Sequence, residues 1–211
     1  MRNDFYGKVW RVLRPLVLFF RPVELRGTEH LEDEAAILCA NHSSAWDPIL
    51  LVLAMPQAFR VRIMAKKQLF SIPVVGWFLR SIGVFPVDRG NSDIHAVKTA
   101  ITSLRDGWNL LIFPEGTRSK DGRVGRGKTG VALIAAQTGA PVVPVGITFT
   151  GKLHFRSQII VRFGKPIQAA ELALGEDPKP RELAALKNRI MTEIKGLVDE
   201  PPLPPAEPVQ E

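Results

Sequence analysis

A single cysteine, Cys39, is the only thiol in the 211-residue chain. One thiol forms no internal disulfide framework and no cysteine-based zinc site, so a reducing compartment is expected. No stretch reaches the ~20 uncharged apolar residues that a spanning helix needs. The N-terminus has charge and an apolar run, yet no small-residue cleavage site follows, so no secretory signal is expected. The net charge is +7, but the basic residues form no block. No zinc-finger, RNP or basic-zipper pattern accompanies them, and nucleic acid is not an expected partner. The charge points instead to a phospholipid surface or a phosphorylated substrate. There is no G-x-S-x-G elbow of a serine hydrolase. No cluster with metal-ligand spacing is present, and no metal is expected.

The apolar fraction is 45% and the charged fraction 23%, which suits one folded domain with a real core. From residue 35 onward, short β-rich runs alternate with helical patterns. The runs are AAILCA (35–40), VRIMA (61–65), GVFPV (83–87), NLLIF (109–113), PVVPVGI (141–147) and IIVRF (159–163). Several are apolar throughout, as strands buried on both faces are. In SDIHAVKTAITSLRDG, Ser92 is the expected cap and Ile94, Val97, Ile101 and Leu104 the apolar stripe, with Gly107 at the end. TGVALIAAQTG ends at Gly139. RELAALKNRIMTEIKGL carries Leu183, Leu186, Ile190, Ile194 and Leu197 on one side. Alternation of this kind predicts an α/β fold, a mostly parallel central sheet flanked by helices. The expected division is a helix over 1–22, a main domain over 23–199, and a proline-rich disordered tail over 200–211.

FYGKVWRVLRPLVLFF (5–20) reads as an amphipathic helix. At 100° per residue Val9, Val12, Leu13, Leu16, Phe19 and Phe20 share one side, and Lys8, Arg11, Arg14 and Arg21 gather opposite. That pattern fits a helix lying in a membrane interface, or a surface helix packed on the core. Pro15 sits inside it. For IPVVGWFL (72–79), core packing is the expected role, with an acyl tunnel or a membrane face as the other reading.

NHSSAWDP (41–48) places a histidine and an aspartate directly after the apolar run AAILCA. Asp47 followed by Pro48 reads as a helix start, with Asp47 as cap, and Ser44 to Asp47 fits a capping box. Neither reading explains His42, which falls where a strand ends and a loop begins. Open α/β sheets put their active sites there. A turn through Ser43 to Trp46 lets the two side chains meet. A carboxylate on one imidazole nitrogen fixes the tautomer and leaves the other free to take a proton from a hydroxyl.

FPEGTRS (113–119) also follows an apolar strand. Gly116 permits close approach of a ligand, Thr117 offers a hydroxyl, and Arg118 offers a planar fork for phosphate oxygens. GVFPVDR (83–89) ends another strand with Arg89 at its tip. Parallel neighbouring strands would bring these ends together with His42. GRVGRGKT (122–129) has the letters of a nucleotide P-loop, but SKD precedes it and the nearest strand ends near Phe113. Nucleotide hydrolysis is therefore not expected; a solvated basic loop is the expected role of Lys128, with contact to an anion as the other reading.

NHSSAWD, GVFPVDR, FPEGTRS and PVVPVGI, in this order, resemble the glycerophospholipid acyltransferase family over roughly residues 24–167. The resemblance implies that His42 and Asp47 are the catalytic pair and that Arg118, Gly116, Thr117, Arg89 and Lys66 hold the acceptor's phosphate. Asn41, Gly83, Glu115 and Pro144 match motif positions, with Pro144 in the block associated with the acyl donor. Gln68 departs from the glutamate usual in the segment before the second block, and Phe85-Pro86 from its two bulky apolar residues. The implied reaction moves an acyl group from a thioester to the free hydroxyl of lysophosphatidate. No cofactor is implied beyond the co-substrate, a thioester of coenzyme A or of acyl carrier protein. The expected setting is peripheral, at the cytoplasmic face of the cell membrane, on an anionic surface. An acceptor of another lysolipid class stays open. A non-catalytic membrane-binding module would explain the helix and the charge but not the ordered blocks.

Overall fold

In the computed structural model, residues 4–56, 59–88, 94–119, 121–149, 159–168, 171 and 178–201 are described. The tail over 202–211, Arg89 and Ser92 lie outside these residues. All six apolar runs fold as strands: β2 (Ile37–Ala40), β3 (Val61–Lys66), β4 (Val84–Val87), β5 (Asn109–Ile112), β6 (Val142–Phe149) and β7 (Ile159–Phe163). They are joined by β1 (Val23–Arg26), whose sequence VELR alternates without an apolar run. The sheet order is β1-β7-β6-β2-β5-β3-β4. β6, β2, β5, β3 and β4 are mutually parallel, while β7 runs antiparallel to β6, and β1 follows β7.

Side-chain alternation along the strands builds two cores. Ile37, Cys39, Leu110 and Ile112 face one side, under α4 (Ile94–Arg105), α5 (Gly130–Thr138) and α6 (Pro180–Asp199). Leu38, Ala40, Leu111 and Val145 face the other, under α2 (Asp47–Ala54) and Val17 of α1 (Asp4–Phe20). Burial on both faces explains why the central strands read as continuous apolar runs.

The α6 stripe packs as its periodicity predicts, with Leu186, Ile190 and Ile194 fully buried. α5 ends at Gly139, whose φ of 70° is the left-handed cap that glycine adopts without strain. In α4 the deeply buried positions are Ala96, Ala100, Ser103 and Leu104, while Ile94 is exposed, a shift from the expected stripe. Small residues let the helix lie close to its neighbours.

Core packing for residues 72–79 is not what the structure shows. In α3 (Pro73–Ser81) only Gly76 is buried, and Val74 and Trp77 are 76% and 59% exposed. The helix presses Gly76 onto the preceding 3-10 turn (Lys67–Ser71). A Cβ there would stand 2.5 Å from the Phe70 carbonyl oxygen. The larger apolar residues are thereby turned outward.

α1 continues through Pro15 and packs against α2. Its packed flank carries Gly7, Trp10, Arg14 and Val17. Arg14 is not on a solvated basic face: its Nε donates to the Leu53 carbonyl at 3.1 Å, and its guanidinium lies 5.0 Å from the Trp10 ring centroid. Val12, Leu16, Phe19 and Phe20 point away from the protein and are exposed. Among the described residues, no helix is long and apolar enough to cross a membrane.

Candidate active site

Register determines what meets at the carboxyl ends of the parallel strands. Cys39 of β2 lies opposite Ile112 of β5, and Ile63 of β3 opposite Leu111. The loop after β2, the turn after β5 and the end of β3 therefore reach one level. Beyond its last strand pair, β2 is extended by Asn41. The Asn41 side chain donates Nδ2 to the Ile147 carbonyl at 3.0 Å and accepts the Ile147 amide at 2.7 Å. This buried pair of hydrogen bonds holds the chain in line for one more residue and delivers His42 at the sheet edge.

His42 Nδ1 lies 2.9 Å from Asp47 Oδ2. The same oxygen accepts the amides of Ser43 and Ser44, each at 2.7 Å. Asp47 is fully buried, and three donors on one oxygen offset much of the cost of taking a carboxylate out of water. Among the described residues its other oxygen, Oδ1, has no hydrogen-bond partner, nor has the buried hydroxyl of Ser43. The start of α2 differs from the sequence expectation. Trp46 stands at the cap position, and Asp47 is the first helical residue. Its carboxylate turns back to the loop instead of capping its own helix. Ser44 still supports the turn, its Oγ accepting the Trp46 amide at 3.2 Å.

His42 is 8% exposed, stacked on Phe113 with ring centroids 4.2 Å apart. Among the described residues its Nε2 has no hydrogen-bond partner. With Asp47 occupying Nδ1, the free nitrogen is the one that can accept a proton, as a general base requires.

The turn after β5 holds the histidine's backbone at both ends. Glu115 Oε1 accepts the His42 amide at 2.9 Å, and the Ser119 amide donates to the His42 carbonyl at 2.7 Å. Sequence reading placed Glu115 only as a motif position and gave Ser119 no role. Strand register makes these bonds, and no local spacing signals it. Glu115 also acts downward: burial first, and its carboxylate second, push the Cys39 thiol well above its usual range. Between the two anchors, Gly116 has φ 71°, and Thr117 and Arg118 are exposed. Arg118 carries no ion pair among the described residues.

Lys66 ends β3 at the same level and is exposed. Asp88, at the end of β4, is the last described residue before Arg89. Two motif residues are not brought to this cluster. Gly83 stands at the opposite end of β4, where φ 84° turns the chain out of α3. Pro144 lies within β6 opposite Cys39, its carbonyl accepting the Gly164 amide at 2.8 Å. No group of three or more metal-ligating side chains occurs among the described residues. Trp46 and Ile49, next to the histidine loop, are exposed, as are Leu69 and Ile72.

Residues 22–148 match the family model described as Acyltransferase. The chain is 36% identical to a chloroplastic 1-acyl-sn-glycerol-3-phosphate acyltransferase of Brassica napus, over 89% of this chain and 57% of that protein. It is 32% identical to the 1-acyl-sn-glycerol-3-phosphate acyltransferase of Bacillus subtilis, over 83% of this chain and 87% of the relative. Its fold superposes with a TM-score of 0.69 on the crystal structure of the 1-acyl-sn-glycerophosphate acyltransferase PlsC from Thermotoga maritima. That match is 28% identical and covers 94% of this chain and 82% of the other.

Proposed function

We propose that this chain, which belongs to the acyltransferase family, transfers a fatty acyl group from a thioester to the free hydroxyl of 1-acyl-glycerol-3-phosphate. The observation that carries the reading is the His42 Nδ1–Asp47 Oδ2 contact of 2.9 Å with Nε2 left free. The acceptor hydroxyl approaches Nε2, which takes its proton as the oxygen attacks the thioester carbonyl. The buried Asp47 carboxylate stabilises the imidazolium that forms. The C–S bond then breaks, and the proton ends on the leaving thiol. Transfer is direct, with no acyl-enzyme. General-base help of this kind contributes about 10² to 10⁴ in rate.

Arg118, assisted by Lys66, anchors the acceptor's phosphate. Holding the phosphate fixes the hydroxyl near His42, an orientation effect that can rival the base itself. The reaction needs no resident cofactor, and the thioester, on coenzyme A or acyl carrier protein, is a co-substrate. The exposed apolar residues of α1, of Trp46 and Ile49, and of α3 form the side that meets lipid. A hollow between α1 and α3, lined by Lys8, Val9, Val12, Leu13 and Phe78, makes that surface continuous. The protein then works as a peripheral enzyme on the cytoplasmic face of an anionic bilayer.

The test pairs labelled oleoyl- and palmitoyl-coenzyme A with a panel of lysolipids and follows ester product. Lysophosphatidate should be the preferred acceptor. Release of free fatty acid in its place would favour a hydrolase. No acylation of any acceptor, with His42→Ala indistinguishable from wild type on vesicles, would favour a non-catalytic membrane-binding module.

A further inference from the structure

The glycine-rich loop over 122–129, which imitates a nucleotide-binding motif, has a different setting in the fold. β5 ends at Ile112, and the loop returns across the Pro114–Arg118 turn before entering α5. Two bonds tie it down: Gly125 donates its amide to Glu115 Oε2 at 3.0 Å, and Lys128 donates its own to the Pro114 carbonyl at 2.8 Å. Its glycines mark close approaches. A Cβ on Gly125 would stand 2.9 Å from Glu115 Oε2, and one on Gly127 would stand 2.6 Å from Met191 Sδ of α6. α6 therefore supports the loop from behind while Glu115 holds it in front.

That arrangement aims the Lys128 side chain at Gly116. A Cβ on Gly116 would meet Lys128 Cε at 3.0 Å and Nζ at 3.2 Å. The lysine stem thus lies in the space that the missing Gly116 side chain leaves. Its ammonium sits beside the turn carrying Thr117 and Arg118. Neither Lys128 nor Arg118 has an ion-pair partner among the described residues, and both are exposed. Glu115, on the same turn, has both oxygens engaged by backbone amides, and Asp121 accepts the Ser119 hydroxyl and the Arg123 amide. Two unpaired cations at one glycine turn, one a planar fork and one a compact point charge, suit a phosphate group.

We propose that Lys128 is a substrate-positioning cation that binds the acceptor's phosphate together with Arg118. The inference rests on the reaction proposed above and extends it to a loop whose expected role from sequence is a solvated one, with an anion contact as the second reading. Loss of one charge-assisted contact should weaken acceptor binding on the order of 10- to 100-fold.

The test compares wild type with Lys128→Met, which keeps the stem over Gly116 and removes the charge, and with Lys128→Arg. Each is assayed in detergent micelles with lysophosphatidate and with monoacylglycerol as acceptors, and with inorganic phosphate as inhibitor. The expected result for Lys128→Met is a KM for lysophosphatidate raised on the order of 10-fold or more, with kcat changed less. Inhibition by phosphate should weaken in parallel, the KM for monoacylglycerol should barely move, and Lys128→Arg should recover part of the loss. An unchanged lysophosphatidate KM in Lys128→Met, where Arg118→Ala raises it, overturns this proposal and leaves the reaction standing. A rise confined to the KM of acyl-coenzyme A overturns the assignment to the acceptor. A wild type that acylates no phosphorylated lysolipid removes the reaction and this inference together.

Discussion

The Glu115 carboxylate accepts the backbone amide of His42 at 2.9 Å, so the turn after β5 determines where the histidine backbone stands. Its second oxygen takes the Gly125 amide at 3.0 Å. One side chain therefore couples three loops, and it does so with two acceptors. Glutamine has one. Glu115→Gln should strand one of the two amides and cost about 1 kcal/mol, lowering Tm by roughly 2–4 °C in a protein of this size. The effect on turnover should be larger than that loss of stability suggests, because a shift of about 1 Å at a catalytic group can cost 10²-fold. Thermal unfolding and kcat, measured well below Tm, check this. Wild-type kcat in Glu115→Gln would show that the clamp on His42 does not matter.

Among the described residues, the Asp47 carboxylate makes its hydrogen bonds through Oδ2 alone, to one imidazole and two amides. An asparagine can still offer an oxygen there, and its amide nitrogen would replace Oδ1, which already lacks a partner. Asp47→Asn should therefore fold, while losing the charge that stabilises a protonated His42. A fall in kcat of about 10²- to 10⁴-fold is expected. Asp47→Ala should lose activity and also the loop, with about 1–3 kcal/mol for each buried donor left unpaired. Circular dichroism and urea unfolding separate the two variants. Full activity in Asp47→Asn would remove His42 from the role of base.

The strands and the histidine–aspartate pair were readable because burial on both faces makes apolar runs, and because an ionisable pair at such a run's end is costly without partners. What escaped reading depended on partners distant in sequence. β1 is an edge strand, half-buried at every position, and the alternation in VELR spans only four residues, too few to distinguish it from a loop. The bonds from Glu115 and Ser119 to His42 exist only because β2 and β5 are neighbours in one register. Arg14, on the basic side of the helical wheel, finds a carbonyl on α2, a contact that the wheel does not contain. α3 read as core because it is apolar, yet it rests on Gly76 and turns its large residues outward.

Cys39 supplies a pH dependence whose sign follows from its surroundings. Full burial, and then the Glu115 carboxylate, raise its pKa, so the folded protein keeps the proton while an unfolded chain releases it near pH 8.5. The unfolded state then binds fewer protons than the native one, and stability falls as pH rises above that value. The slope approaches about 1.4 kcal/mol per pH unit from this group. Cys39→Ala should flatten the alkaline limb of stability between roughly pH 9 and 10 relative to wild type. In the native protein the thiol should also resist alkylation at pH 8 and react promptly in guanidinium. Equal alkaline slopes in the two proteins, or fast native labelling, would place the thiol in a wetter site than the sheet interior.

Val12, Leu16 and Phe19 lie on one face of α1, and the protein leaves all three exposed. With Trp46 and Ile49 beside the histidine loop, and Val74 and Trp77 on α3, they form an apolar side next to the proposed chemistry. Burying a leucine or phenylalanine side chain in an apolar phase is worth about 1.5–3 kcal/mol. Replacing Leu16 and Phe19 together with glutamate removes both contributions and adds repulsion from anionic headgroups. Affinity for vesicles containing anionic phospholipid should fall by at least about 10²-fold. Because neither side chain contributes to a core, the far-UV spectrum and Tm should stay near wild type. Activity on a water-soluble short-chain acceptor should persist, while activity on acceptor embedded in vesicles drops. Deleting residues 1–21 should likewise release the protein. Co-sedimentation checks both, and a double variant that stays bound as tightly as wild type would move the lipid-facing side elsewhere on the molecule.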